Sequence, residues 1–513
     1  MLSVDPGQNS DSAVVTTTVQ GVFSQAMDPA TITTATFSLV GPGGSAIAGT
    51  VGYDATTNTA IFTPATDLQI AASYTATLAA GIANIDGRGL GQDFVWNFRT
   101  APTIVRVSET EDGVGADLGN FAPAVGISGR LVGFHSLATN LVSNDTNGVA
   151  DIFVKDSQNG GVERANTASD GAQSLAGDSL FAAASNTVTG DVVFESDASN
   201  LVANDVNGLR DIFVKDTVGG TIGRASVDAM GGEANGASNN AAISRDGTVV
   251  VFDSAASNLV ANDNNGLRDI FWRDLTTNEI RLVSVDAVGA QANGISLKPA
   301  VSDDGRFVVF ESDANNLVGV DVNGLRDIFI KDMDNGAILL VSVSAANAQG
   351  NLASVDASIS ANGQLVAFTS AASNLVAGDV NGVTDIFVKN TVGGAISRAN
   401  TTSAGLEAAG GGSSSAEISA DGRYVAFVSS ANNLVVKANL AIADIYVKDT
   451  QTDAIERLSI SALGVESNGQ SDRPAMTTDG RYVVFESGAT NLIPNDDTSG
   501  VDIFRAFNAV FAP

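Results

Sequence analysis

The chain has 513 residues and no cysteine, so it has neither a disulfide framework nor thiolate chemistry. Histidine occurs once, at His135. One imidazole cannot build a histidine-rich zinc site, and a Ser-His-Asp triad would have to use this residue. Neither G-x-S-x-G, a phosphate-cradling loop nor H-E-x-x-H is written anywhere. No apolar run approaches the roughly 18 residues of a membrane-spanning helix. Basic residues are scarce: 26 Lys and Arg stand against 57 Asp and Glu, for a net charge of −31. That balance makes nucleic-acid phosphate and anionic membrane surfaces poor partners, and cations or basic surfaces better ones.

What is there is a repeat. Asparagine-leucine, a short acidic loop and a strand opening Asp-Ile-Phe or Asp-Ile-Tyr recur seven times, as in NLVANDVNGLRDIFVKD from Asn200 and NLVGVDVNGLRDIFIKD from Asn316. The strand-opening aspartates are Asp151, Asp211, Asp269, Asp327, Asp385, Asp444 and Asp502, a period of 58 to 60 residues. Self-similarity at that spacing means stacked or radial copies of one supersecondary unit. Each copy divides into four strands. Around Asp327 these are Pro299 to Ser302, Phe307 to Glu311 after the Asp303-Asp304-Gly305 turn, Asp327 to Lys331, and Ile338 to Val343 after Asp334-Asn335-Gly336. Four strands in about 58 residues make one propeller blade. The last copy ends after its third strand, and Thr103 to Ser108 matches the outer strands of other copies. The expectation is a seven-bladed ring closed by that N-terminal strand, which removes a free edge.

The first hundred residues carry no copy. They read as short alternating strands: Ala13 to Val22, Ala35 to Leu39, Gly49 to Tyr53, Ala60 to Thr63, Ser73 to Ala79 and Phe94 to Arg99. Turns about every ten residues predict a small antiparallel sandwich. The wording FSQAMDPATITTATFSLVGPGG and SYTATLAAGIANIDGRGLGQDFVWNFRT resembles the bacterial Ig-like domain found in S-layer and other surface proteins. The D-G-R-Y-V-A-F hairpin followed by D-I-F-V-K-D resembles TolB-like or WD-like β-propeller repeats of exported bacterial proteins. The expected organisation is all-β, with an Ig-like β-sandwich over 1–101 and a seven-bladed propeller over 102–513. The first resemblance implies a spacer or adhesion module, and the second a scaffold for protein or glycan contact. Met1-Leu2-Ser3-Val4-Asp5 lacks the basic and apolar regions of a signal peptide, so the expectation is a mature or trimmed product, with export implied by composition and resemblance.

Five acidic loops hold D-x-N-G-x-x-D intact: Asp145/Asn147/Asp151, Asp205/Asn207/Asp211, Asp263/Asn265/Asp269, Asp321/Asn323/Asp327 and Asp379/Asn381/Asp385. Oxygen donors at positions 1, 3 and 7 suit a hard cation, and calcium takes six to eight oxygens at about 2.3–2.6 Å. The backbone carbonyl of Leu209 or Leu267 is a further candidate donor. The seventh copy keeps Asp496, Thr498 and Asp502, whereas the sixth puts Ala438 and Leu440 at the first donor positions and retains only Asp444. The competing reading is an Asx-turn, in which Asp and Asn side chains bond backbone N–H groups. A turn needs only one aspartate, and two carboxylates 4 Å apart repel by about 1 kcal/mol even at the dielectric of water. Their repetition favours Ca2+.

Arg210, Arg268 and Arg326 precede three of the strand aspartates, either as polar anchors for a ligand or as ion-pair partners of the acidic loop. His135 takes a strand position that other copies fill with Glu195, Asp253, Glu311 or Glu486, and reads as a strand-surface residue. Abundant acids allow a carbohydrate-active hydrolase or lyase as the alternative function. The acids belong to the repeat, however, and no copy shows a departure with a convincing catalytic partner. The first expectation is therefore a noncatalytic, secreted or cell-surface binding protein with calcium-stabilised loops. Its partners would be protein, glycan or copies of itself, including a homo-oligomeric surface layer or filament, and no nucleic acid.

Overall fold

Strict alternation in the first hundred residues places every second side chain on one face, and that face is apolar. In the computed structural model the described residues are 3–8, 10–13, 18–66, 68–69, 72–100, 104–126, 128–184, 190–437, 442–494, 496, 498 and 500–511. The chain divides into two compact units, Met1–Thr103 and Ile104–Pro513. In the first, Ser3–Asp5, Val19–Val22, Thr59–Pro64 and Gly49–Asp54 pair in that order, and Ser10–Ala13, Phe94–Thr100, Ser73–Leu78 and Phe37–Val40 form a second sheet. The two inner faces share one core built on Phe37, Phe62, Tyr74 and Trp96. Phe37 packs with ring centroids 5.8 Å from Phe62 and 6.0 Å from Trp96. The Trp96 indole N–H is satisfied by the Pro6 carbonyl at 3.1 Å. Of the strand expected over Ala13 to Val22, Ala13 ends Ser10–Ala13 in one sheet and Val19–Val22 lies in the other, while 14–17 fall outside the described residues.

The second unit contains seven four-stranded sheets among its described residues. The fourth is typical, with Ser296–Val301, Phe307–Ser312, Asp327–Asp332 and Ile338–Leu340 side by side from inner to outer. The inner strands of the others are Asn120–Val125, Ser179–Ala184, Ser238–Ile243, Ser354–Ile359, Ser413–Ile418 and Ser471–Met476. Each inner strand packs on the next, and Ser471–Met476 returns to Asn120–Val125, so the sheets form a closed ring. In the seventh sheet Ser471–Met476, Tyr482–Ser487 and Asp502–Phe507 are completed by Ile104–Arg106, with Phe504 opposite Arg106 and Ala506 opposite Ile104. Thr103, the expected first residue of that closing strand, lies outside the described residues.

Second and third strands are apolar on both sides because each sheet is covered on both faces by its neighbours. Phe310 stacks on Phe329 at 5.9 Å, and the same aromatic pair recurs as Phe194 with Phe213 at 5.8 Å and Phe427 with Tyr446 at 5.9 Å. Neighbouring sheets are also tied by polar contacts: the buried Lys331 ammonium donates to the Val285 and Asp286 carbonyls of the preceding copy, both at 2.9 Å. Gly305, at φ 74°, turns the hairpin where a Cβ would come within 2.6 Å of Val249 Cγ2.

Two boundaries differ from expectation for local reasons. The inner strand starts at Ser296 rather than Pro299, because a register shift between Leu297 and Ala300 absorbs Lys298 at φ 48° and the proline that cannot donate to the ladder. The outer strand stops at Leu340 rather than Val343. Beyond it the Ser342 hydroxyl accepts the Ile328 N–H at 3.1 Å, taking over from ladder pairing.

Candidate functional site

The seven strand-opening aspartates are all buried, Asp151, Asp211, Asp269, Asp327 and Asp385 completely. Each sits where the chain enters the third strand, opposite a serine of the second, as Asp327 faces Ser312. One carboxylate oxygen is held from the segment just after the outer strand: Ser226 donates to Asp211 at 2.5 Å, Ser284 to Asp269 at 2.6 Å, and Asn400 to Asp385 at 2.6 Å. The other oxygen takes the loop asparagine amide: Asn207 to Asp211 at 2.9 Å, Asn265 to Asp269 at 2.7 Å, Asn323 to Asp327 at 2.7 Å, with Asn147 and Asn381 similarly on Asp151 and Asp385. The asparagine oxygen meanwhile accepts the N–H two residues on, from Leu209, Leu267 or Leu325, which is Asx-turn geometry.

The first aspartate of each intact loop lies close to the last, and in three copies an arginine stands between them. Arg164 Nη1 is 3.0 Å from Asp145 and 3.2 Å from Asp151. Arg224 Nη1 is 3.1 Å from Asp205, 3.2 Å from Asp211 and 2.8 Å from Glu233. Arg398 Nη1 repeats this with Asp379, Asp385 and Glu407 at 3.2, 3.2 and 2.8 Å. In the seventh sheet the closing strand supplies Arg106, 3.2 Å from Asp496, while Ser108 donates to Asp502 at 2.6 Å and Thr498 to both acids. In the sixth, Lys437 lies 3.0 Å from Asp444, and Arg457 bonds Glu466 at 3.0 Å; Ala438 and Leu440 are outside the described residues.

Two copies lack the arginine. Leu282 and Leu340 hold the register position, opposite Phe271 and Phe329, that Arg164 and Arg224 hold opposite Phe153 and Phe213. Glu233 and Glu407 have there become Gln291 and Gln349, whose amides donate to Asp263 and Asp321 at 3.3 Å each. Burial, with Asp263 nearby, pushes the Asp269 carboxyl up to about 6, and burial likewise raises Asp263, Asp321 and Asp327. Arginine and leucine at this one position thus sort the loops into two electrostatic kinds. The acidic-loop motif does not contain the residues that do so, because they lie on another strand; their signal is the contrast between VERA, IGRA and ISRA on one side and IRLV and ILLV on the other.

Arg210, Arg268 and Arg326 do not face the acidic loops. They pair with second-strand acids: Arg210 with Glu195 at 3.3 Å, Arg268 with Asp253 at 2.5 Å and Arg326 with Glu311 at 3.5 Å. Arg210 and Arg326 also hold Asp197 and Asp313. Burial pushes Glu195 up to about 7. His135, expected on the strand surface, is buried between Phe121 and Phe181, with ring centroids 5.6 and 5.8 Å away; desolvation lowers its pKa to about 4.

These features define an all-β chain in which a sandwich accompanies a closed ring of repeated sheets. Residues 1–100 match the family described as bacterial Ig-like domain. No curated protein matches the chain significantly. Among solved structures, oligogalacturonate lyase in complex with manganese is 11% identical, with TM-score 0.49 over 79% of this chain and 93% of that one. TolB from Acinetobacter baumannii is 14% identical, with TM-score 0.33 over 73% and 88%. The β-propeller domain of the Trilobed protease from Pyrococcus furiosus is 11% identical, with TM-score 0.45 over 76% and 95%. At these scores the ring is established by its own sheet order.

Proposed function

We propose that this is a noncatalytic bacterial surface or secreted protein whose ring of sheets is a binding scaffold. The observation that carries this reading is the match of residues 1–100 to the bacterial Ig-like domain. The long loops of the ring fit it, since binding surfaces are commonly loops on a rigid frame. Most loop acids described above are engaged by arginine, lysine, serine or asparagine, which is a structural employment for them. Protease treatment of intact producing cells tests the reading: a surface protein is cleaved or shed without lysis, whereas full protection until lysis would overturn it.

Within this reading, calcium belongs to the loops that lack arginine. Where a guanidinium already lies between the two aspartates, a divalent ion would have to displace it; Asp263 with Asp269 and Asp321 with Asp327 present paired carboxylates without that competitor. The role of such an ion would be to neutralise the pair and brace the loop. Thermal unfolding of metal-stripped protein with and without millimolar calcium checks this, and an unchanged midpoint would remove calcium from the proposal. Assembly into a layer or filament would appear as growth in light scattering in the same experiment.

A further inference from the structure

At the axis of the ring the inner strands line a solvent-open cavity of about 500 Å³. The register shift of every inner strand leaves one residue in the left-handed region: Ala122, Phe181, Asn240, Lys298, Asp356, Ser415 and Arg473, at φ between 46° and 55°. All but Ala122 line the cavity. The second and third strands repeat almost residue for residue, yet at this position every sheet carries a different side chain. A non-glycine residue held there is strained, and such strain concentrates at functional sites. The backbone is pinned from the preceding sheet: Glu486 accepts the Ala122 N–H at 2.8 Å, and Glu195 and Asp253 accept those of Asn240 and Lys298 at 3.2 Å. A fixed framework therefore presents a varied set of side chains to one shared opening.

Two positions further along the inner strand the copies read Ala124, Ala183, Ala242, Ala300, Ser358 and Ala475, and in the sixth sheet Glu417. Glu417 lines the cavity with Ser358, and burial pushes its carboxyl up to about 7. Arg473, on the adjacent inner strand, also lines it. The Arg473 guanidinium lies 5.4 Å from the Phe181 ring centroid and 3.9 Å from Glu486, and it donates no hydrogen bond to a described residue. Lys298, by contrast, is tied to Asp356 at 2.6 Å. A guanidinium fork with unused donors matches a carboxylate in two parallel hydrogen bonds. The rest of the wall mixes small apolar residues, among them Ala241, Ala300 and Ile359, with the polar side chains of Asn240, Asp356 and Ser415. Such a mixed wall suits a short peptide, whose small apolar side chains meet the alanines and whose backbone amides need polar partners.

We propose that this cavity binds the free carboxyl end of a short peptide, with Arg473 holding the carboxylate, Phe181 flanking it and Glu417 hydrogen-bonding a backbone amide. The proposal rests on the binding-scaffold reading and gives it a ligand class. The test is equilibrium dialysis of the full chain against a mixed pool of N-acetylated tripeptides, supplied as free acids and as C-terminal amides, read by mass spectrometry. The expected result is retention of acids at least tenfold above amides, loss of that preference in Arg473→Gln and partial retention in Arg473→Lys. Circular dichroism confirms that each variant is folded. Equal retention of acids and amides, retention of neither, an undiminished preference in Arg473→Gln, or retention of trigalacturonate in place of peptides would each overturn it. If the dialysis fails while protease still reaches the chain on intact cells, the surface-binding reading stands and the cavity proposal alone is removed.

Discussion

A single buried imidazole gives this chain an acid-sensitive point. His135 has a folded pKa lowered to about 4, against 6.5 for an ordinary histidine, because it is desolvated among aromatic rings. A lowered histidine pKa means that the unfolded chain binds the proton first as pH falls. Its contribution to stability is complete above about 6.5 and is lost progressively toward 4, by roughly 3 kcal/mol. His135→Phe should flatten that limb, measured as the change in urea midpoint between pH 7 and pH 4.5 relative to the parent. The outer-strand position allows a paired comparison. Arg398→Met should destabilise by about 3–5 kcal/mol, because it leaves Asp379 and Asp385 buried without their cation. Leu282→Arg supplies the missing cation to Asp263 and Asp269, and should raise the midpoint in the absence of calcium. Combined with Leu340→Arg, it should abolish any calcium-induced rise. A calcium response unchanged in the double variant would place the ion elsewhere.

At the scale of elements, strands with regular hydrogen bonding are legible throughout, and those with an interruption only on the regular side of it. D-G-R-Y-V-V-F and D-I-F-V-K-D announce the second and third strands because apolar runs and a glycine turn determine them locally. The closing strand was also readable, since I-V-R-V-S matches the outer strands elsewhere. The start of the inner strand is not legible, because its bulge breaks the alternation at Lys298 and Pro299, whereas its second half lies where expected. The arginine lock was invisible for a different reason: Arg224 lies 13 residues from Asp211, and only the cross-strand register of Phe213 with Arg224 brings them together. The same register governs ring closure. A chain beginning at residue 110 lacks Ile104–Arg106, leaving Asp502–Phe507 as an exposed edge. It should unfold with a lower midpoint and associate at micromolar concentration, which size-exclusion chromatography would register. Unchanged monomeric behaviour would show that the closing strand is dispensable.

For the whole molecule, buried carboxyls set the pH response against a background of negative charge. Burial pushes Glu195, Glu417 and Glu456 each up to about 7. For an acid whose folded pKa is raised, the folded state holds protons that the unfolded chain has released. These groups therefore stabilise fully below about 4.5 and lose that contribution as pH rises through 7. Protonation also relieves self-repulsion in a chain of net charge −31. The midpoint of thermal unfolding should rise as pH is lowered from 8 to about 6, and below about 6.5 the single opposing group, His135, should offset only part of the further rise. A midpoint that falls steadily over that interval would contradict the assignment.

The seventh sheet also imposes an order in time. Arg106 and Asp496 are 390 residues apart, so at ribosomal rates of about 5–20 residues per second the closing strand waits roughly 20–80 s for its partner to be made. During that interval the sixth copy and those before it can stack one upon another as they emerge, but the ring stays open. Until that partner strand is present the chain is most vulnerable to pairing with a neighbouring unfinished chain.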